Sequence, residues 1–312
     1  MTITQLRYVL AIAEYKNFTN AAEKCHVTQP TLSTQIQKLE DELDILIFDR
    51  SKKPIELTDV GRKIVQQAKN IVNESDRIKD IVDQQKGFIG GEFKLGIIPT
   101  IMPTLLPMFL KTFIKKFPKV ILKIEEMTTD DIITKINDGH LDAAIVATPL
   151  KIENIKERVL YYEPFVGYVP DDHALSSLKK LTVSDLNLDD ILLLEDGHCF
   201  RDGVLNLCNS IKDGTIDKFQ LESGSIETLI KLSNEGLGMT LLPYLHTIDL
   251  NENMQSKLRY FSPPPPAREV SLIYHKSELK MQIIESLHKV ISSIIRGAIA
   301  FQNVQIISPL PK

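Results

Sequence analysis

The spacing of apolar positions changes twice along the chain, and those changes divide it. Residues 3–15, ITQLRYVLAIAEY, put Leu6, Val9, Leu10 and Ala13 on one helical face. Lys16 and Asn17 break the pattern. Phe18, Ala21, Ala22 and Cys25 then predict a second short helix, with Asn17 or Thr19 as its cap. A third helix opens at Thr28, tolerates Pro30 in its first turn, and carries an apolar stripe of Leu32, Ile36, Leu39 and Leu43. Over residues 60–87 the apolar positions are Ile64, Ala68, Ile71, Ile78 and Val82, with Ser75 completing the row, at alternating steps of four and three. That is a 3.5-residue seam on one long polar helix. It predicts contact between two chains, although such a seam also serves to pack a helix on its own globular part. Lys86, Gly87, Gly90 and Gly91 predict a hinge.

From Glu92 the pattern alternates between strands and helices. Strands are expected at FKLGIIP, ILKIEEM, AAIVATP, LYYEPFVGYVP, ILLLED, KFQLE, MTLLP and SLIYH, with helices near 103–117, 129–138, 225–236 and 278–297. The expected architecture is α/β: an N-terminal winged helix-turn-helix (1–59), a linker and dimerisation helix (60–87), then a two-lobed regulatory domain (88–312). The chain would enter lobe I (about 92–161), fill lobe II (about 162–267) and return to lobe I (about 268–300), leaving a cleft between the two.

Composition narrows the function classes. The chain of 312 residues is 43% hydrophobic and 25% charged, as in ordinary globular proteins. It has no apolar run near membrane-spanning length and no signal-peptide pattern at its start, so a cytoplasmic protein is expected. No GxGxxG or P-loop joins a strand to a helix, and no Cys/His cluster has zinc spacing, so neither a cofactor nor a metal is expected.

The net charge of −4 gives no global sign of nucleic-acid binding, and residues 1–60 hold seven Lys/Arg against nine Asp/Glu. Binding must therefore rest on where charge is placed. Opposite its apolar stripe the third helix presents Gln29, Pro30, Thr31, Ser33, Thr34, Gln35 and Lys38, mostly short polar residues suited to base edges and phosphates in a major groove. Residues 47–58 predict a two-stranded wing carrying Arg50, Lys52 and Lys53, able to grip the DNA backbone. A polar solvated face is the commoner use of such a stripe.

Cys199 stands in Gly197-His198-Cys199-Phe200-Arg201-Asp202, and Cys208 follows nine residues later. Flanking His198 and Arg201, with a helix N-terminus near Phe200, are expected to favour thiolate over thiol. If the stretch is helical, nine residues rise about 13 Å. A disulfide needs Cα atoms roughly 4.4–6.8 Å apart, so bonding the pair would require refolding. Two cysteines in a chain this long are most often inert buried residues, which is how Cys25 reads here.

Several of these stretches carry a family likeness. NFTNAAEKCHVTQPTLSTQIQKLEDEL, with IFDR and LTDVG after it, resembles the winged helix-turn-helix of LysR-type transcriptional regulators, in Ala21-Ala22, the run Thr28–Ser33, and Leu39, Glu40 and Leu43. SIETLIKLSNEGLGMTLLP (225–243) is similar to part of their effector domain, related in form to periplasmic solute-binding proteins. GIIPT (96–100) and LEDGHC (194–199) resemble the peroxide-sensing members of that family. The resemblance implies that Cys199 reacts with hydrogen peroxide and that Cys208 resolves it to a disulfide. It also implies that Thr100, Thr129 and His198 line the peroxide pocket, with Arg201 and Asp202 beside it, expected to pair and steady the loop. Partners implied are double-stranded promoter DNA, RNA polymerase, a thiol reductant for reset, and further copies in a homodimer or homotetramer controlling antioxidant genes. The protein is then no enzyme. Two other readings stay open: a regulator sensing an organic metabolite, and a thiol peroxidase.

Overall fold

The computed structural model describes residues 1–85, 89–208, 223–299 and 303–310. The expected strand at 218–222 and the hinge residues Lys86 and Gly87 lie outside the described residues. The chain forms two compact units, Met1–Phe88 and Ile89–Lys312.

In the first unit, α1 (Ile3–Tyr15) starts from a reciprocal cap between Thr2 and Gln5. Helix α2 (Phe18–Lys24) is capped by Asn17, whose side chain accepts from the N–H groups of Thr19 and Asn20, so Asn17 and not Thr19 is the cap. Helix α3 (Gln29–Leu43) is capped by Thr28. Leu32, Ile36 and Leu39 bury fully beside Val9, Ile12, Ala21 and Phe48. Leu43 departs from the expected stripe. The helix ends there, Asp44 turns left-handed (φ 53°), and Leu43 overhangs the edge of this small core, 38% exposed.

The wing is the antiparallel pair β1 (Phe48–Asp49) and β2 (Glu56–Leu57). It is tied to α3 by the buried carboxylate of Glu40. Oε1 accepts from the N–H groups of Ile47 (2.8 Å) and Phe48 (3.2 Å), and Oε2 from Arg50 Nη2 (2.7 Å). Helix α4 (Asp59–Gln85, 27 residues) leaves the wing at Gly61, where a Cβ would overlap the carbonyl oxygen of Ile47. The seam of α4 is divided. Ala68 and Val72 bury against Leu6 of α1, with Ile71 alongside, while Ile64 and Val65 join the helix-turn-helix core. Ile78 and Val82 are exposed, Ile78 by 63%. The near half of the expected intermolecular seam is therefore used within the chain, because α1 reaches no farther along α4.

In the second unit β3 (Gly91–Ile97), α5 (Met102–Lys116), β4 (Val120–Glu126), α6 (Thr129–Asn137) and β5 (Ala143–Thr148) alternate, with β3 parallel to both β4 and β5. Strand β6 (Ile155–Tyr168, 14 residues) then carries the chain from one core to another. Its residues up to Pro164 pair with the returning strand, and those from Phe165 on pair elsewhere. The second core is built from β7 (Lys180–Leu181), β8 (Ile191–Leu192), α7 (Cys199–Cys208), α8 (Ile226–Asn234), β9 (Met239–Pro243), α9 (Tyr244–Ile248), α10 (Glu252–Ser256) and β10 (Leu258–Phe261). Strand β11 (Pro266–His275) returns antiparallel between β5 and β6, α11 (Met281–Ala298) covers the first core, and β12 (Gln305–Ile306) pairs in parallel with the start of β11. The path runs β4-β3-β5-β11-β6-β10-β7. The expected strand at ILLLED shrinks to two residues, and β7, β10 and β12 were hidden because two to four residues show no alternation. Among the described residues no helix is long and apolar enough to cross a membrane.

Glu40 holds two buried backbone donors and the half-exposed guanidinium of Arg50, so removing it leaves the Ile47 and Phe48 N–H groups without their acceptor, while Arg50 turns to water. Glu40→Ala is expected to destabilise the first unit by about 3 kcal/mol, the cost of two buried unsatisfied donors, read as a lower denaturant midpoint in circular dichroism.

Candidate functional site

The polar residues expected to face DNA all lie on α3. Gln29, Pro30, Thr31, Thr34 and Lys38 are exposed and Ser33 is half-buried. Thr31 shares a 2.8 Å hydroxyl contact with the cap Thr28. Arg50 is different. Besides its bond to Glu40, its guanidinium lies 5.2 Å from the centre of the Phe18 ring. It fastens the wing to α3 while its side chain stays 36% exposed.

The thiol site is assembled at the C-terminal ends of parallel strands, where open α/β sheets place their ligands. Thr100 follows β3, Ala147 is near the end of β5, Thr129 opens α6 and Cys199 opens α7. Cys199 is a free, buried thiol packed in the first core. Burial pushes it above its ordinary pKa; the guanidinium of Arg268, the Thr129 hydroxyl and the Ala147 main chain pull it back, and Asp202 adds to the rise. This corrects the sequence expectation. The thiol is raised, not lowered, and neither His198 nor Arg201 is among the groups acting on it. His198 Nε2 lies 3.4 Å from Glu195 Oε1. Arg201 pairs with Asp196 at 2.7 Å and donates to the Leu194 carbonyl, so its ion pair is with Asp196 and not with Asp202 as expected. Asp202 is itself raised, chiefly by burial.

Arg268 is the residue that sequence reasoning missed. It is 3% exposed and pairs with Glu163, 1% exposed, through Nε (2.9 Å) and Nη2 (2.7 Å) to Oε2. Its Nη1 donates to Thr100 Oγ1 (2.8 Å) and its Nη2 to the Thr100 carbonyl (3.0 Å). The guanidinium carbon is 5.2 Å from the centre of the Phe200 ring. Its neighbours Pro266, Ala267 and Glu269 gave no apolar alternation to mark it as buried, so the sequence carried no clear signal.

Neither threonine is a helix cap. Thr128, not Thr129, caps α6, and α5 has no side-chain cap. Thr129 Oγ1 is buried with no full hydrogen bond, bearing only on the sulfur. Nearby, Tyr161 and His246 also hold buried polar atoms without partners. Burial, helped by Arg268, drops His246 to about 3, so its ring is neutral.

Cys208 ends the same helix but packs against the second core. Burial raises it to about 11. Helical spacing puts its Cα about 13 Å from that of Cys199. Gly203 lies between them, its place filled by the Phe165 ring, 3.4 Å from where a Cβ would stand. A mid-helix glycine weakens α7 by about 1 kcal/mol relative to alanine.

Two family models match the chain: a LysR substrate binding domain over residues 86–292, and a bacterial regulatory helix-turn-helix protein of the lysR family over residues 3–62. The chain belongs to the LysR family. Among LysR-family relatives, the hydrogen peroxide-inducible genes activator of Dickeya chrysanthemi is 34% identical over 88% of this chain and 89% of the relative. The DNA-binding transcriptional dual regulator OxyR of Escherichia coli K12 is 32% identical over 95% of this chain and 97% of its own. Among solved LysR-family structures, a full-length cysteine-to-aspartate variant of Pseudomonas aeruginosa OxyR matches with TM-score 0.75 and 36% identity, over 94% of this chain and 98% of that one. A Corynebacterium glutamicum OxyR variant with H2O2 bound matches with TM-score 0.63 and 29% identity, over 97% of each chain.

Thr129→Val keeps the shape of the side chain and removes an unsatisfied hydroxyl. The melting temperature is expected to hold or rise. Alkylation of Cys199 at neutral pH should slow about tenfold, the loss of one hydrogen bond to a charged sulfur; timed iodoacetamide labelling with mass spectrometry measures it.

Proposed function

We propose that this LysR-family regulator binds promoter DNA and senses hydrogen peroxide through Cys199 and Cys208. The observation that carries the reading is a buried free thiol, faced by Arg268 and Thr129, at one end of a helix whose other end is a second thiol. The activities named for the relatives, which match 88% or more of the chain, support it.

In this reading the Cys199 thiolate attacks the near oxygen of peroxide. The O–O bond breaks, Cys199 becomes a sulfenic acid, and hydroxide leaves to take up a proton as water. Thr100 and Thr129 hold the peroxide through their hydroxyls, and Arg268 balances the negative charge on sulfur and on the departing oxygen. His198 and Asp202 close the site at the start of α7. Cys208 cannot reach Cys199 along an intact helix. Unwinding α7 also brings Cys208 out of its apolar packing, so its thiolate fraction rises on the order of a hundredfold from that of a thiol at pKa about 11. Its thiolate then displaces hydroxide from the sulfenic sulfur, forming the disulfide and a second water. Two thiols have given two electrons to one peroxide. A cellular dithiol reverses the bond by exchange.

The DNA reading places α3, through Gln29, Pro30, Thr31, Ser33, Thr34 and Lys38, in the major groove, with the wing held on the backbone by way of Arg50 and its lysine neighbours. Ile78 and Val82, bare on the far half of α4, are the contact for a second copy, giving a homodimer or a pair of dimers. The regulator acts in the cytoplasm with RNA polymerase, and it is a stoichiometric sensor, not a turnover enzyme.

Transcription from a peroxide-induced promoter tests the reading. Cys199→Ser is expected to give no response and Cys208→Ser no disulfide, while Cys25→Ser responds normally. A normal response from Cys199→Ser refutes the mechanism, and sustained peroxide turnover with a thiol reductant would make the protein a peroxidase instead. Ile78→Asp places an unpaired charge in the seam and is expected to shift the protein toward monomer in sedimentation at micromolar concentration. A monomeric unmodified protein removes the proposed contact.

A further inference from the structure

The segment 303–310 crosses both cores of the second unit and ends on α7. Its strand β12 pairs with Pro266 and Ala267, the two residues before Arg268, through Gln305 N–H to Pro265 O (2.9 Å) and Ile307 N–H to Ala267 O (2.8 Å). Ile307 is buried in the second core and Leu310 packs against the first. Between them the chain turns on Ser308, whose Oγ accepts from the Leu310 N–H at 3.2 Å. That turn presents two carbonyls to a single side chain. Asn206 Nδ2, on the last turn of α7, donates to Ser308 O (2.9 Å) and Leu310 O (2.7 Å).

We propose that Asn206 is a positioning residue for disulfide formation: with segment 303–310 it latches the C-terminal half of α7, and the Cys199–Cys208 bond forms only when that latch opens. The argument is geometric. Asn206 lies between the two thiols in sequence, on the same turn as Cys208, so unwinding that turn to carry Cys208 toward Cys199 pulls on Asn206. Both amide hydrogens are used, on carbonyls of a segment anchored elsewhere, so α7 and the segment separate together. The same segment pairs with β11 immediately before Arg268. Its release therefore alters the support of the cation facing Cys199. The latch rests on the sensor reading above and adds the element that sets how fast sulfenic acid becomes disulfide.

The test uses full-length protein, quenched at intervals after a peroxide pulse, with sulfenic acid and disulfide measured by mass spectrometry. Asn206→Ala is expected to leave the rate of sulfenic acid formation unchanged and to speed its conversion to disulfide about fivefold, the loss of roughly one net hydrogen bond. Gly203→Ala, which strengthens α7 without touching the segment, should slow the same step by a similar factor. Hydrogen exchange at Gln305 and Ile307 should be slow in the reduced protein and in peroxide-treated Cys208→Ser, and fast in the disulfide form. An unchanged conversion rate in Asn206→Ala, with Gly203→Ala slowed, overturns the latch while leaving the sensor intact. Equal exchange in the reduced and disulfide forms also overturns it. Absence of any Cys199–Cys208 disulfide in the unmodified protein removes the sensor reading, and the latch with it.

Discussion

The ion pair between Arg268 and Glu163 is the constraint on which the regulatory unit turns. It is sealed from water, and it sits where β6 leaves the first core and β11 returns to it. A pair so deeply buried contributes little net stability, yet losing one partner strands the other charge. Its value here is positional. Glu163 also accepts from the Leu245 N–H at 2.9 Å, fixing α9, and Arg268 reaches across to both atoms of Thr100. One guanidinium thus fixes two strands, a loop and the electrostatics of Cys199.

That arrangement explains why the thiol is held in check. Burial opposes ionisation, and the arginine, the threonine hydroxyl and the Ala147 main chain offset it only in part. Helix α7 then separates detection from response. Its first residue belongs to one core and its last to the other.

Much of this was legible in the sequence, because helical spacing and cap residues act locally. The caps Thr28 and Asn17, the stripe Leu32–Leu39 and the alternation from Glu92 onward all follow from side chains within a turn or two of one another. Helix α7 stood in the sequence only as a condition, outside the helices that apolar spacing predicted. What escaped was long-range. Arg268 acts on Cys199 from 69 positions away in the chain, while the sequence neighbours His198 and Arg201 turn to Glu195 and Asp196. Proximity in sequence was a poor guide to proximity in space at a site assembled from strand ends. The apolar row of α4 was legible from its spacing, but which half α1 would cover depended on tertiary packing.

The contact at Gly61 has a mechanical corollary. With no Cβ to hold it off, α4 rests directly on the Ile47 carbonyl, and Thr58 Oγ1 bonds the Leu46 carbonyl at 2.7 Å. The wing and the root of α4 are geared without backlash. A 27-residue helix is about 40 Å long. Pivoted at that root, a tilt of roughly 5° sweeps its far end through about 3.5 Å, close to the rise of one base pair. Run in reverse, the same lever ratio turns small displacements at the distal end into angular changes at the wing and at α3, which the Glu40 carboxylate ties to it.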